Sequence, residues 1–313
     1  MNRHWARIGE RGTLAGMTLM VAIQRHLGRW PFRLVLAPVM LWYFLAHATA
    51  RRASQSYLQR LYPALERRPL ARWWHSYRHF LTFGDALMDK VAAWSGDIAD
   101  GRLTGPGIER FTAAIDGGRG GLILVAHHGN LDVANALAER HPGLELTVLM
   151  HTRNARKFNA LLERVTGRPR PHVLEVSAIT PATAQALAER IHTGGYVVIA
   201  ADRLSLSGGR TQCLDFFGDR AMFPEGPFWL AALLRCPLYT LACVREDGSF
   251  RIDFEAIDDT GNLPRRQREA WISEAMQRHA DHLAERVRQH PLQWFNFYPF
   301  WMNDTGFHHD DTA

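Results

Sequence analysis

Residues 120–140 read "GGLILVAHHGNLDVANALAER". The first part is an apolar run of the length of a strand buried on both faces. It ends in two adjacent histidines and then Gly129-Asn130, a turn signal whose asparagine is a good helix N-cap. Apolar positions next recur at helical spacing. A strand leading into a helix is the unit of layered α/β folds. The same reading spreads along the chain. "LELTVLM" (144–150), "HVLEV" (172–176), "YVVIAA" (196–201), "PLYTLACV" (237–244) and "FRIDFEA" (250–256) are further strand candidates. Helical stretches at 130–140, 154–165, 181–192 and 225–235 lie between them, and a long amphipathic segment, 264–288, follows. The expected fold class is α/β, a mixed, largely parallel sheet flanked by helices, preceded by an N-terminal membrane-associated helix and a helical segment.

The N-terminal part reads differently. "TLAGMTLMVAI" (13–23) is apolar, and Leu34–Ala50 holds no charge, with Pro38 inside it. Trp30 and Arg33 open that second run and Arg51-Arg52 closes it, as at a membrane interface. The run is at the short end for a spanning segment and lies too far from the start for a secretory signal peptide. A membrane helix, spanning or lying in one leaflet, is expected; a buried helix is the alternative. Residues 53–92 mix Trp, Tyr and Phe with Arg, which suits a membrane interface or an ordinary packing layer equally. The expected division is 1–52 as membrane anchor, 53–116 as helical interface segment, 117–305 as α/β domain and 306–313 as a disordered tail.

With 313 residues, 47% of them apolar, the chain can bury a sizeable core and is not a disordered protein. The net charge of +6 and a pI near 9.6 point to an anionic partner: a membrane surface, nucleic acid or an acidic carrier protein. Of the 37 basic residues only Lys90 and Lys157 are lysine, a bias that codon usage alone can produce. The basic residues are scattered and no recognition motif is present, so nucleic-acid binding is not expected. Cys213, Cys236 and Cys243 are odd in number and lack C-x-x-C spacing, which fits a reducing, cytosolic face.

The Asn130 turn places His127 at a strand end and Asp132 in the first helical turn, where a strand-to-helix corner can fold one back on the other. His128 and Asp132 form a rival i, i+4 pair. A metal reading needs three or four ligands; His141, His151 and His172 are available but show no ligand spacing. A purely structural corner is the other alternative. A His–carboxylate pair suits proton abstraction, since the ring titrates near neutrality and the carboxylate fixes its tautomer. No G-x-S-x-G elbow supplies a nucleophile, and "SLSGG" (205–209) does not match one. A dyad without a protein nucleophile implies that the substrate brings its own hydroxyl: direct acyl transfer.

"HHGNLD" resembles the H-x4-D/E block of the lysophospholipid acyltransferase superfamily, and is most similar to the branch of the late lipid A acyltransferases. Other blocks follow in order. "MHTRNARKFNALLERVTG" (150–167) resembles the segment after the family's second strand. "AADRLSLSGGRTQCLDFFGDRAMFPEGPFWLAALLRCPLY" (200–239) is similar to its Asp…Gly-Gly…Phe-Phe-Gly…Gly-Pro segment, and "HPLQWFNFYPFW" (290–301) to its His-Pro-x-Gln-Trp signature. "FPEG" (223–226) also matches the glycerolipid branch, but continues Pro-Phe-Trp where that branch continues Thr-Arg-Ser.

The resemblance implies His127 as base and Asp132 as its orienting partner. His128, Gly129, Asn130, Arg153, Asp202, Arg203, Glu225 and Gly226 are candidates for contacting substrate, Asp202 and Arg203 because they end a strand that faces the same edge as His127 if the sheet is parallel. Oxyanion donors would come from backbone N–H groups near Gly129-Asn130 or from Arg153. The implied reaction moves a fatty acyl chain from acyl-acyl carrier protein or acyl-CoA to a hydroxyl of a lipid or glycolipid, on the cytoplasmic side of a bacterial inner membrane. No metal or organic cofactor is expected. The aromatic "QWFNFYPFW" (293–301) would line an acyl channel, face the membrane or pack in the core. A non-catalytic lipid-binding or assembly protein of the same fold, and a metal-dependent hydrolase, are the competing classes.

Overall fold

The computed structural model describes residues 29–305 apart from 97, 99, 139, 142, 151–171, 177–178 and 205–207. The expected apolar run at 13–23, the helix at 154–165, Arg153, His151 and the tail from 306 lie outside the described residues. The chain divides into two compact units: residues 1–91, 213–222 and 284–313, and residues 92–212 and 223–283.

The second unit carries the main sheet. In chain order it has β1 (Leu103–Thr104), α4 (Gly107–Asp116), β2 (Gly121–Gly129), α5 (Leu131–Ala138), β3 (Leu146–Met150), β4 (His172–Glu175), α6 (Pro181–His192), β5 (Tyr196–Ala200), α7 (Gly226–Leu234), β8 (Pro237–Glu246), β9 (Ser249–Asp259) and most of α8 (Arg268–Gln289). The seven strands lie in the order β1-β9-β8-β2-β5-β3-β4. β2 pairs in parallel with β5 and β8, and β3 with β4 and β5; only β8 and β9 run antiparallel. The alternation predicted from sequence is therefore present, and β2 is central because "LILVA" is apolar on both faces. Ile123 and Val125 enter a cluster with Phe111 of α4, Val133 and Leu137 of α5, and Phe250 and Phe254 of β9. Leu122 and Leu124, which point to the other face, are fully buried as well.

The first unit is built from α1 (Arg29–Ala46), α2 (Ala48–Leu61) and most of α3 (Pro69–Ser95), with the greater part of a hairpin, β6 (Thr211–Phe216) and β7 (Asp219–Pro224), and the C-terminal residues, including the short α9 (Met302–Thr305). Phe32, Leu36, Met40 and Phe44 of α1 pack with Phe80 and Met88 of α3. Arg60 of α2 binds Asp219 at 2.8 Å and Asp304 at 3.2 Å, with its guanidinium 4.1 Å from the centre of the Trp301 ring. Trp294 and Trp301 are fully buried, so these rings of the aromatic tail are core, not a channel wall or membrane patch. The stretch 53–92 divides likewise: Tyr57 and Phe80 are buried, Trp73 and Trp74 exposed. Among the described residues no single helix is long and apolar enough to cross a membrane; α1 and α2 pass that test only as a pair, bent by 95°.

Candidate active site

The site begins with an irregularity in the central strand. β2 and β8 pair regularly up to Val125↔Leu241, and the next pair is Gly129↔Cys243. Three residues of β2, Ala126 to His128, therefore face one of β8, and such a bulge re-aims side chains. Gly129 closes it with φ 75°, and any Cβ there would overlap the Cys243 carbonyl oxygen. Asn130 N–H donates to that same oxygen at 2.7 Å, and α5 starts at the next residue. The predicted helix start is thus in place, but the Asn130 N–H is committed to the sheet and is not an oxyanion donor.

The bulge gives the two histidines different surroundings. The side chain of His127 is 37% exposed. His128 is 1% exposed. The His127 backbone N–H donates to Asp202 Oδ2 at 2.8 Å, and its ring Nδ1 lies 2.8 Å from Asp202 Oδ1. Asp202 follows the end of β5, beside β2, so parallel pairing brings both residues to the carboxyl edge of the sheet. That edge is where open α/β sheets bind ligands.

Asp202 is buried, with 2% of its side chain exposed. Burial by itself would raise its pKa, but the His127 ring, the His127 backbone N–H and the nearby Arg203 guanidinium outweigh it. They hold the carboxyl well below the usual carboxylate range. An ionised carboxylate only accepts, so Nδ1 carries a proton, and whenever the ring is neutral its lone pair is on Nε2. This is the tautomer of a base.

The other residues singled out from sequence fall as follows. Asp132 is half-buried in the first turn of α5, near Cys243, whose thiol is pushed up by burial first and then by the Asp253 and Asp132 carboxylates. Arg203 is half-buried beside Asp202. Glu225 accepts from its own helix, at 2.9 Å from Trp229 Nε1, while its N–H donates to the Arg210 carbonyl. Gly226 opens α7 with free space where a Cβ would point, so no tight turn explains it. His141 sits edge-on to Phe111, and His172, at the opposite edge of the sheet, contacts Arg190. Among the described residues no group of three or more His, Cys, Asp or Glu is arranged to hold a metal ion. Sequence reasoning chose Asp202 as a strand-end acid but did not pair it with His127; β2–β5 adjacency supplies that link.

A helix-flanked, mostly parallel sheet with a His–Asp pair at its carboxyl edge defines the class: a layered α/β protein. The sequence model of the bacterial lipid A biosynthesis acyltransferases matches residues 76–303, and the chain belongs to that family. The phosphatidylinositol mannoside acyltransferase of Mycolicibacterium smegmatis is 26% identical over 210 residues, 63% of this chain and 62% of that protein. That of Mycobacterium tuberculosis is 27% identical over 202 residues, 63% of this chain and 60% of the relative. The chain thus spans about three-fifths of the length of these relatives.

Proposed function

We propose that this protein transfers a fatty acyl chain from an acyl thioester to a hydroxyl of a membrane glycolipid or lipid. The observation that carries the reading is the His127–Asp202 geometry, which leaves a lone pair on Nε2 of a half-exposed ring. In the proposed step Nε2 takes the proton of the acceptor hydroxyl as its oxygen bonds to the thioester carbon. The tetrahedral intermediate collapses with loss of the C–S bond, and the imidazolium returns its proton to the leaving thiolate. No covalent acyl-protein forms. Asp202 fixes the tautomer and, with Asp132 of the H-x4-D pattern, stabilises the imidazolium. Arg203 and Arg153 are the proposed donors to the oxyanion, since the Asn130 N–H is used elsewhere.

The donor is acyl-acyl carrier protein or acyl-CoA, either of which suits the positive net charge. The relatives' name favours a glycolipid among the acceptors. The proposed location is the cytoplasmic face of a bacterial inner membrane. The test is mass spectrometry of total lipids from cells carrying the wild-type gene, a deletion, or His127→Ala. One lipid lighter by an acyl chain in both mutants supports the reading and names acceptor and chain together. A change in the deletion alone, with His127→Ala protein at normal level, overturns catalysis in favour of a lipid-binding or assembly role.

A further inference from the structure

The outer face of α1 is more exposed than its apolar composition accounts for. Phe32, Leu36, Met40 and Phe44 recur every fourth residue and face α3. The rest of the helix surface exposes Leu34, Val35, Val39, Leu41, Trp42 and Leu45, with Trp42 at 65%. Between Arg33 and Arg51 no residue is charged. A helix face turned to water ordinarily carries charge, and a contiguous apolar patch marks a binding surface. The patch continues onto the first turn of α3, where Leu70, Trp73 and Trp74 are exposed. The two parts meet, because Phe44 and Trp73 are in edge contact at 5.4 Å.

Two features prevent α1 from crossing a bilayer. It lies antiparallel to α3 along its length, from the Arg33–Asp85 ion pair at 3.0 Å to the Phe44–Trp73 contact. Crossing would carry Arg78 and Asp85 of α3 into hydrocarbon, at about 2.5–3.5 kcal/mol for each charge near the midplane. Nor do α1 and α2 straighten into one span. Arg51 Nη1 donates to the carbonyls of Phe44 and Leu45, at 2.6 and 2.9 Å, and its guanidinium lies 5.1 Å from the Trp73 ring centre. The side chain thereby caps α1 inside the 95° corner.

Apart from Asp85, which is paired with Arg33, and Glu66, the charge around the patch is positive. No Asp or Glu occurs between Glu10 and Glu66, while Arg51, Arg52, Arg67, Arg68 and Arg72 flank the corner and the start of α3. We infer that α1 lies in the plane of one leaflet of an anionic phospholipid bilayer, its outer face and the α3 tryptophans in the acyl boundary and the arginines at the head groups. This deepens the membrane association proposed above and is independent of the acyl-transfer chemistry.

The test uses the full chain with vesicles of phosphatidylcholine alone or mixed with phosphatidylglycerol, read by flotation without turnover. Trp42→Glu with Leu45→Glu, two residues more than half exposed, is expected to leave the melting temperature in place and weaken binding about tenfold or more. Arg67→Ala with Arg68→Ala is expected to weaken binding to the anionic vesicles only. Fluorophores on Val35→Cys, Val39→Cys and Trp42→Cys, quenched by depth-labelled lipids, should all report a shallow position, about 5–10 Å below the head groups. A steady gradient to the midplane would show a span and overturn the inference. So would unchanged vesicle binding by the double glutamate variant, or a dimer that this variant dissociates in a protein that ignores vesicles. His127→Ala protein should bind as wild type does, which separates failure of this inference from failure of the catalytic reading.

Discussion

The Asp202 carboxylate takes two hydrogen bonds from one residue: the ring Nδ1–H and the backbone N–H of His127, both at 2.8 Å. The ring is therefore tied to its own strand, and the direction of Nε2 is fixed relative to β2. An asparagine at 202 offers one acceptor and one donor, so one of the two His127 N–H groups would face another donor. Asp202→Asn is expected to lower kcat by about 10²–10⁴, with KM changed far less. Steady-state transfer rates check this against Asp132→Asn. If Asp132→Asn alone removes the rate, the orienting role belongs to Asp132.

The two histidines of the bulge should separate by assay. His127 is half-exposed, and His127→Ala is expected to abolish transfer while the protein melts within a few degrees of wild type. His128 is buried, and truncating it leaves a cavity, so His128→Ala should cost about 1–3 kcal/mol of stability. Melting curves beside transfer assays decide the matter. An active His127→Ala with a folded but inactive His128→Ala would reverse the assignment of the base.

Two of the glycines singled out from sequence should respond oppositely. Gly129 combines φ 75° with the Cys243 carbonyl where a Cβ would go. Gly129→Ala forces β2 from β8, and a loss of about 3 kcal/mol or more, or failure to fold, is expected. Gly226 has open space around its Cβ direction, and Ala is the better helix former. Gly226→Ala should fold at least as well as wild type, and any loss of transfer would then report a substrate lying against that position. Expression level, melting temperature and activity of the two variants give the comparison.

The parallel strands from β2 onward were legible because each is an apolar run between turn signals, whereas the two-residue β1 is too short to show one. The hairpin of β6 and β7 was not legible either. Its turn places Phe217 at φ 56° and Gly218 at φ 81°, conformations usually announced by Asn-Gly, so a phenylalanine there hides the signal. The site shows the same division. His127 and Asp132 share one short motif and were found together. Asp202 was found as a strand-end acid, but its bond to His127 joins residues 75 positions apart. That bond depends on which strands become neighbours, a fact absent from any local pattern. The apolar α1 was legible as a helix, free of charge from Leu34 onward, whereas the corner after it depends on Arg51 folding back on two carbonyls.

Acid stability should report a residue remote from this chemistry in sequence pattern. His79 is fully buried in the first unit, with Nε2 2.9 Å from the Trp294 carbonyl and Nδ1 3.0 Å from Ser54 Oγ. A carbonyl only accepts, so Nε2 carries the proton and Nδ1 accepts from Ser54, which in turn accepts from Ser76 at 2.8 Å. The neutral ring is satisfied on both sides, and burial pushes its pKa down from 6.5 to about 4. A folded pKa below the unfolded one means that the unfolded chain binds the proton first. The stability that depends on neutral His79 is thus complete above about pH 6.5 and is lost as pH falls through about 4. The full loss is at most about 3 kcal/mol. The depressed carboxyl of Asp202 begins to lose its own contribution in the ordinary carboxylate range, at the acid end of the His79 window, and goes on losing it below that window. Urea unfolding of wild type and His79→Gln across this range tests the point. The variant is expected to be less stable at neutral pH but flatter below it, and equal slopes would assign the acid sensitivity to other groups.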